Sequence, residues 1–144
     1  TSDFKDCRCS ADKSYSGCCD RLHMGNDILI PKDGKSHNIL AIESGTVTQI
    51  FDKFYKCNGY DIDYVLIKND SGSYNGYGEL DQGSEKIKTG DHVQAGQTIG
   101  TVSYNGCGML HFEKPKSSPR PDSYNYDQFE DPRPYLDQTS DNCS

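Results

Sequence analysis

The chain has 144 residues, 33% of them hydrophobic and none of them Trp, with 15 Lys and Arg against 22 Asp and Glu for a formal net charge of −7. That length suits one domain with a modest core. It holds no run of about 18 apolar residues to cross a membrane, and its basic residues are scattered, which excludes the phosphate attraction behind nucleic-acid binding.

Residues 1–22 are dense in Cys7, Cys9, Cys18 and Cys19, with no periodic apolar face, and read as a Cys-rich segment packed on the domain. Cys-x-Cys and Cys-Cys spacings do not match zinc-ribbon pairs, so disulfides are expected, with adjacent Cys18 and Cys19 going to different partners. Cross-links offset the chain entropy that a thin core leaves uncovered and place the protein in an oxidising compartment, secreted and extracellular. A start at Thr1 rather than Met agrees with a mature secreted product. The seventh cysteine leaves one sulfur over, either free or bridging two chains as a disulfide-linked dimer.

From 23 to 113 the chain runs in short β-branched or alternating stretches. Strands are expected over residues 27–30, 39–42, 46–51, 62–68, 73–80, 97–102 and 109–112. Turn chemistry separates them, as at Asn58-Gly59, Asp70-Ser71-Gly72 and Asn75-Gly76. The fold class is therefore mainly β, an antiparallel sheet with long disulfide-tied loops. After Glu113 the composition shifts to Pro115, Pro119, Pro121, Pro132 and Pro134, so residues 114–144 form an irregular extension, with Cys143 pinning its end. Asn69 and Asn142 stand in Asn-x-Ser sequons and are candidate glycan acceptors.

Only four histidines occur. His37 and His92 sit in polar contexts and read as surface residues. His23 and Asp27 are four apart at the start of the first strand of the domain, and His111 lies in the last one, Met109-Leu110-His111-Phe112-Glu113. Two imidazoles and a carboxylate converging from distant segments give three zinc ligands and leave a fourth position open. Glu113, two residues beyond His111 on the same strand face, is placed to orient that ligand.

Five segments occur in an order that resembles the lysostaphin-type zinc metalloendopeptidases: His23-Met24-Gly25-Asn26-Asp27, Gly45-Thr46-Val47, Tyr77-Gly78-Glu79-Leu80, the stretch from Gly90-Asp91 to Ile99-Gly100, and Met109 to Glu113. The resemblance implies that fold, with His23, Asp27 and His111 as ligands to Zn²⁺. It places two further family histidines at positions occupied here by Glu79 and Met109, and a thioether cannot exchange a proton at neutral pH. The Cys-rich N-terminal segment and Asp131-Pro132-Arg133-Pro134-Tyr135-Leu136 are similar to the non-catalytic, chemotaxin-like members of that fold, whose disulfide framework Cys57 and Cys143 loosely fit.

Three functions follow as expectations. The first is a secreted, zinc-binding, non-catalytic domain whose surface meets an extracellular protein or glycan. The second is an active endopeptidase on Gly-rich or peptidoglycan peptides, with no catalytic residue but Glu79 as base, although its acidic surface is repelled by anionic walls. The third is a matrix component in which ten Tyr, including Tyr124, Tyr126 and Tyr135, serve adhesion.

Overall fold

The computed structural model describes residues 7–8, 21–104, 106–122 and 126–140. The pairings expected of the N-terminal cysteines and Cys143, the Asn142 sequon, and the side chains of Tyr124 and Tyr126 lie outside the described residues. In chain order the elements are β1 (Cys7–Arg8), β2 (Arg21–Leu22), β3 (Gly25–Leu29), β4 (Ser36–Leu40), β5 (Gly45–Cys57), β6 (Tyr60–Asn69), β7 (Tyr74–Asp81), β8 (His92–Val93), β9 (Thr98–Ser103) and β10 (Met109–Pro115). A 3-10 turn (Tyr126–Gln128), β11 (Phe129–Glu130) and α1 (Arg133–Ser140) follow.

The expected antiparallel architecture is present. The main sheet runs β11-β10-β7-β6-β5-β8, with β3 also pairing β10, while β4 and β9 form a separate ribbon. The β4–β9 ribbon packs its Ile39, Ile99 and Val102 against Val65, Tyr77 and Phe112 of the main sheet in one apolar cluster. Alternation decides the faces: Leu110 and Phe112 of β10 enter this core, so Met109, His111 and Glu113 are directed to the opposite face. That second face carries the candidate site.

Two differences from the sequence reading have local causes. Strand β5 continues six residues past Phe51, through an irregularity between Phe51 and Tyr55, because Tyr55, Lys56 and Cys57 pair with β6, and buried Asp63 supports the irregular stretch. Its Oδ1 accepts the Lys53 N–H and its Oδ2 the Gly83 N–H, each at 2.8 Å. The hairpin then closes on Asn58 and Gly59, both at positive φ, the conformation that a two-residue hairpin turn matching strand twist requires.

The proline-rich extension is irregular over residues 116–122, but it also contributes β11, which pairs Phe129 with Pro115, and the short helix α1. Asp131 Oδ1 accepts the Arg133 N–H at 2.9 Å, and Pro134 falls in the first turn, where a missing N–H costs nothing. Buried Lys114 donates to Asn75 Oδ1 at 2.7 Å and stands 4.3 Å from the Tyr135 ring centroid, which ties α1 to the sheet. Cys57 is bonded to Cys107, joining the β5–β6 hairpin to the loop before β10. Asn69 is buried and spends its Nδ2 on Ser73, so a glycan at this sequon is incompatible with the fold.

Candidate metal centre

His111 and Asp27 are cross-strand partners in the β3–β10 register, which places their side chains on one face at close range. His23 stands two residues before β3 and turns toward the same point. The three donor atoms form a small triangle. His23 Nε2 is 3.0 Å from His111 Nδ1 and 3.2 Å from Asp27 Oδ1, and His111 Nδ1 is 2.9 Å from Asp27 Oδ1. Two imidazoles and one carboxylate make a zinc-type donor set, and tetrahedral ligands about 2.0–2.1 Å from a zinc ion lie about 3.3 Å from one another. The triangle therefore fits the ion with little movement.

Close approach of the backbones makes the triangle possible. A Cβ at Gly25 would lie 2.2 Å from the carbonyl oxygen of Phe112, so β3 can lie this close to β10 only with glycine there. Across β10 on its other side, Gly78 stands opposite His111. A Cβ at Gly78 would come within 3.2 Å of Tyr64 and of the His111 carbonyl.

His111 is fixed from both ends. Carboxylates only accept hydrogen bonds, so in the metal-free chain Nδ1–H donates to Asp27 and Nε2–H donates to Glu113 Oε1 at 2.8 Å. Burial lowers the pKa of His111, but these bonds and the neighbouring carboxylates outweigh it and hold the imidazolium up to about 10. For Asp27, burial is likewise overcome by hydrogen bonds from His111 and His23, and its carboxyl sits well below the usual range. Glu113, also against its burial, is held at about 2 by His111 and Arg120. A cation held in the triangle would take the place of the Nδ1 proton, beside a carboxylate that is already ionised.

Glu79 and Met109 flank the triangle without joining it. Met109 shares the site face of β10 with His111, opposite Leu29 of β3. Glu79 sits where β7 carries one residue more than β6: the register shifts between Asp63 and Val65, and Glu79 has φ +64. Such a bulge re-aims a side chain. The re-aimed carboxylate accepts the Tyr55 hydroxyl through Oε1 at 2.7 Å, while Oε2 is buried without a hydrogen-bond partner. Burial raises the Glu79 pKa, opposed by His111 and the Tyr55 bond. The Glu79 carboxylate also clusters with the sulfurs of Cys57 and Cys107, but these are bonded to each other and cannot ligate as thiolates.

His37 and His92 stand apart from the site and pair at the surface with Asp33 and Asp70. Three contributors have no signal in the sequence. Tyr55 lies in the unexpected half of β5. Tyr64, in the middle of β6, donates its hydroxyl to Glu113 Oε2 at 2.8 Å. Arg120 comes from the extension and grips Glu113 with two nitrogens, Nε on Oε2 at 2.8 Å and Nη2 on Oε1 at 2.6 Å.

A family model described as Peptidase family M23 matches residues 21–122. No curated protein matches the chain. Among solved structures, the chain is similar to the catalytic domain of the antimicrobial peptidase lysostaphin from Staphylococcus simulans, with 23% identity and a TM-score of 0.58, covering 81% of this chain and 80% of that one. It is also similar to a mutant catalytic domain of the prophage-encoded M23 protein EnpA from Enterococcus faecalis, at 24% identity and TM-score 0.64, covering 92% and 87%. A zinc containing peptidase from Vibrio cholerae aligns at 24% identity and TM-score 0.53, covering 79% of this chain and 32% of that one. These identities speak to the fold. The chain spans 44% of a longer lysostaphin structure.

Proposed function

The chain belongs to peptidase family M23, and from that premise we propose that it is a secreted, zinc-binding, non-catalytic member that acts by binding an extracellular protein or glycan. M23 peptidases are zinc-dependent, and His23, Asp27 and His111 are the residues that would hold the ion here. Bound zinc would supply Lewis acidity and would cross-link the entry to β3 to the last long strand, so that binding adds to folding stability.

The observation that carries the non-catalytic reading is Met109. It stands on the metal face of β10, two residues before His111, where the family resemblance expects a histidine, and its thioether can neither take nor give a proton. Glu79, at the other such position, is half-buried and has one carboxylate oxygen engaged by the Tyr55 hydroxyl, so it is not a free equivalent of the histidine that the resemblance expects. The chain's own groups thus hold a cation and orient its ligands but supply no proton relay on the Met109 side.

The test is metal analysis of the purified protein together with cleavage assays on oligoglycine peptides and peptidoglycan. Zinc at one per chain without turnover supports this function. Turnover overturns it and makes the chain a peptidase with Glu79 as the candidate base.

A further inference from the structure

We propose that Arg120, from the segment that follows the last long strand, is a positioning residue of the metal centre: through Glu113 it fixes the orientation of His111 and thereby sets the affinity for zinc. The inference rests on the zinc-binding reading and extends the site beyond its three ligands.

The geometry is a continuous chain of hydrogen bonds. His111 Nε2 meets Glu113 Oε1 at 2.8 Å. The same carboxylate accepts Tyr64 Oη at 2.8 Å and the two guanidinium bonds from Arg120 at 2.8 and 2.6 Å. With those partners in place the Glu113 carboxylate has one orientation, and the oxygen facing His111 can only accept. When Nδ1 is given to a cation, His111 therefore keeps the proton on Nε2, and Nδ1 is the atom offered to the triangle with His23 and Asp27.

Arg120 is itself rigidly held. Its guanidinium carbon lies 5.2–5.3 Å from the centroids of Phe54, Tyr64 and Phe129, and its backbone N–H donates to Gln49 Oε1 at 3.0 Å. The side chains of Arg120 and Glu113 are 8% and 1% exposed. A pair so desolvated leaves an uncompensated charge when one partner is removed, and here that charge is one bond away from a metal ligand. Lysine cannot substitute fully, because a point ammonium does not reproduce the two-pronged contact. A residue outside the sheet that carries the ligands thus completes the centre, and β11, which supplies Phe129, becomes part of the same support.

The test uses the full chain with Zn²⁺ as probe. Zinc affinity is measured by competition with a chromophoric chelator for wild type, Arg120→Ala and Arg120→Lys, with circular dichroism as the check of folding. Arg120→Ala is expected to weaken zinc about 10–100-fold, as loss of an outer partner typically does, with Arg120→Lys between it and wild type. In zinc-loaded, ¹⁵N-histidine-labelled protein, the His111 Nε2–H should be protected from exchange in wild type and lose that protection in the variants, a readout that a merely structural arginine would not move. If Arg120→Ala fails to fold, the lysine variant decides. Unchanged affinity and unchanged Nε2–H protection in a folded variant overturn the inference while leaving the zinc reading intact. Absence of zinc binding in wild type overturns both.

Discussion

Tyr55 donates a 2.7 Å hydrogen bond to Glu79, bringing the far half of a thirteen-residue strand onto a bulge residue beside the metal triangle. The partnership bears directly on catalysis. General acid–base groups are typically worth about 10²–10⁴-fold, and with Met109 inert and Glu79 bonded to Tyr55, hydrolysis of oligoglycine should be undetectable in wild type. Glu79→His and Met109→His should recover cleavage only in combination, because such groups act as a unit. Wild-type turnover that vanishes in Glu79→Gln would instead identify Glu79 as a working base.

Removing one imidazole should empty the metal centre. His111→Ala is expected to lose stoichiometric zinc by elemental analysis. Chelator should lower the melting temperature of wild type and leave that of the variant unmoved. A ligand present at about 1,000 times its dissociation constant stabilises the fold by about 4 kcal/mol, so the shift should be several degrees or more.

Stability should also fall with rising pH across a window set by Glu85. Burial, the neighbouring Asp63 carboxylate and Asp52 raise its pKa from 4.5 to about 7. The folded chain then holds a proton that the unfolded chain releases, and the derivative of unfolding free energy with pH is negative between those two values. Stabilisation is fully present below about 4.5 and is lost as pH rises through about 7. Urea titrations of metal-free protein at intervals from pH 4.5 to 6.5, below the range in which the raised pKa of His111 adds its own decline, should show the fall, and Glu85→Gln should flatten it.

The Cys57–Cys107 bridge closes a separation of 50 residues. On the loop-entropy model a loop of that size is worth about 4 kcal/mol, so Cys57→Ala with Cys107→Ala should shift the urea midpoint strongly downward without changing the strand content measured by circular dichroism. A midpoint equal to wild type would mean that the sheet alone keeps these loops together.

Gly25 should tolerate no side chain. An added Cβ would meet the backbone oxygen of Phe112 at 2.2 Å, and backbone cannot step aside as a flexible side chain can. Gly25→Ala is expected to cost about 1–3 kcal/mol or more and, by prising β3 from β10, to weaken zinc binding as well. Chemical denaturation and chelator competition would measure the two effects separately.

The sequence alone determined what depends on local pattern and short spacing. Alternating runs between Gly- and Asn-rich turns indicate an antiparallel β domain, and His23, Asp27 and His111 stand out as candidate ligands because their motif order survives at any level of folding. Glu113 was also legible, since a residue two positions along a strand shares the face of its neighbour. Tertiary structure decided the rest. Strand β5 extends past Phe51 because Tyr55, Lys56 and Cys57 pair with β6, with Asp63 of that strand accepting the Lys53 N–H in the irregular stretch between. Glu79 faces Tyr55 because a bulge in β7, visible only in the pairing with β6, turns it there. Arg120 in a proline-rich segment and Tyr64 in a central strand have no periodicity that marks them for the metal centre. They reach Glu113 because Tyr64 lies on β6 and the chain after β10 folds back to bring Arg120 to the same carboxylate, and which side chains meet there is set by packing between segments rather than by the spacing within any one of them.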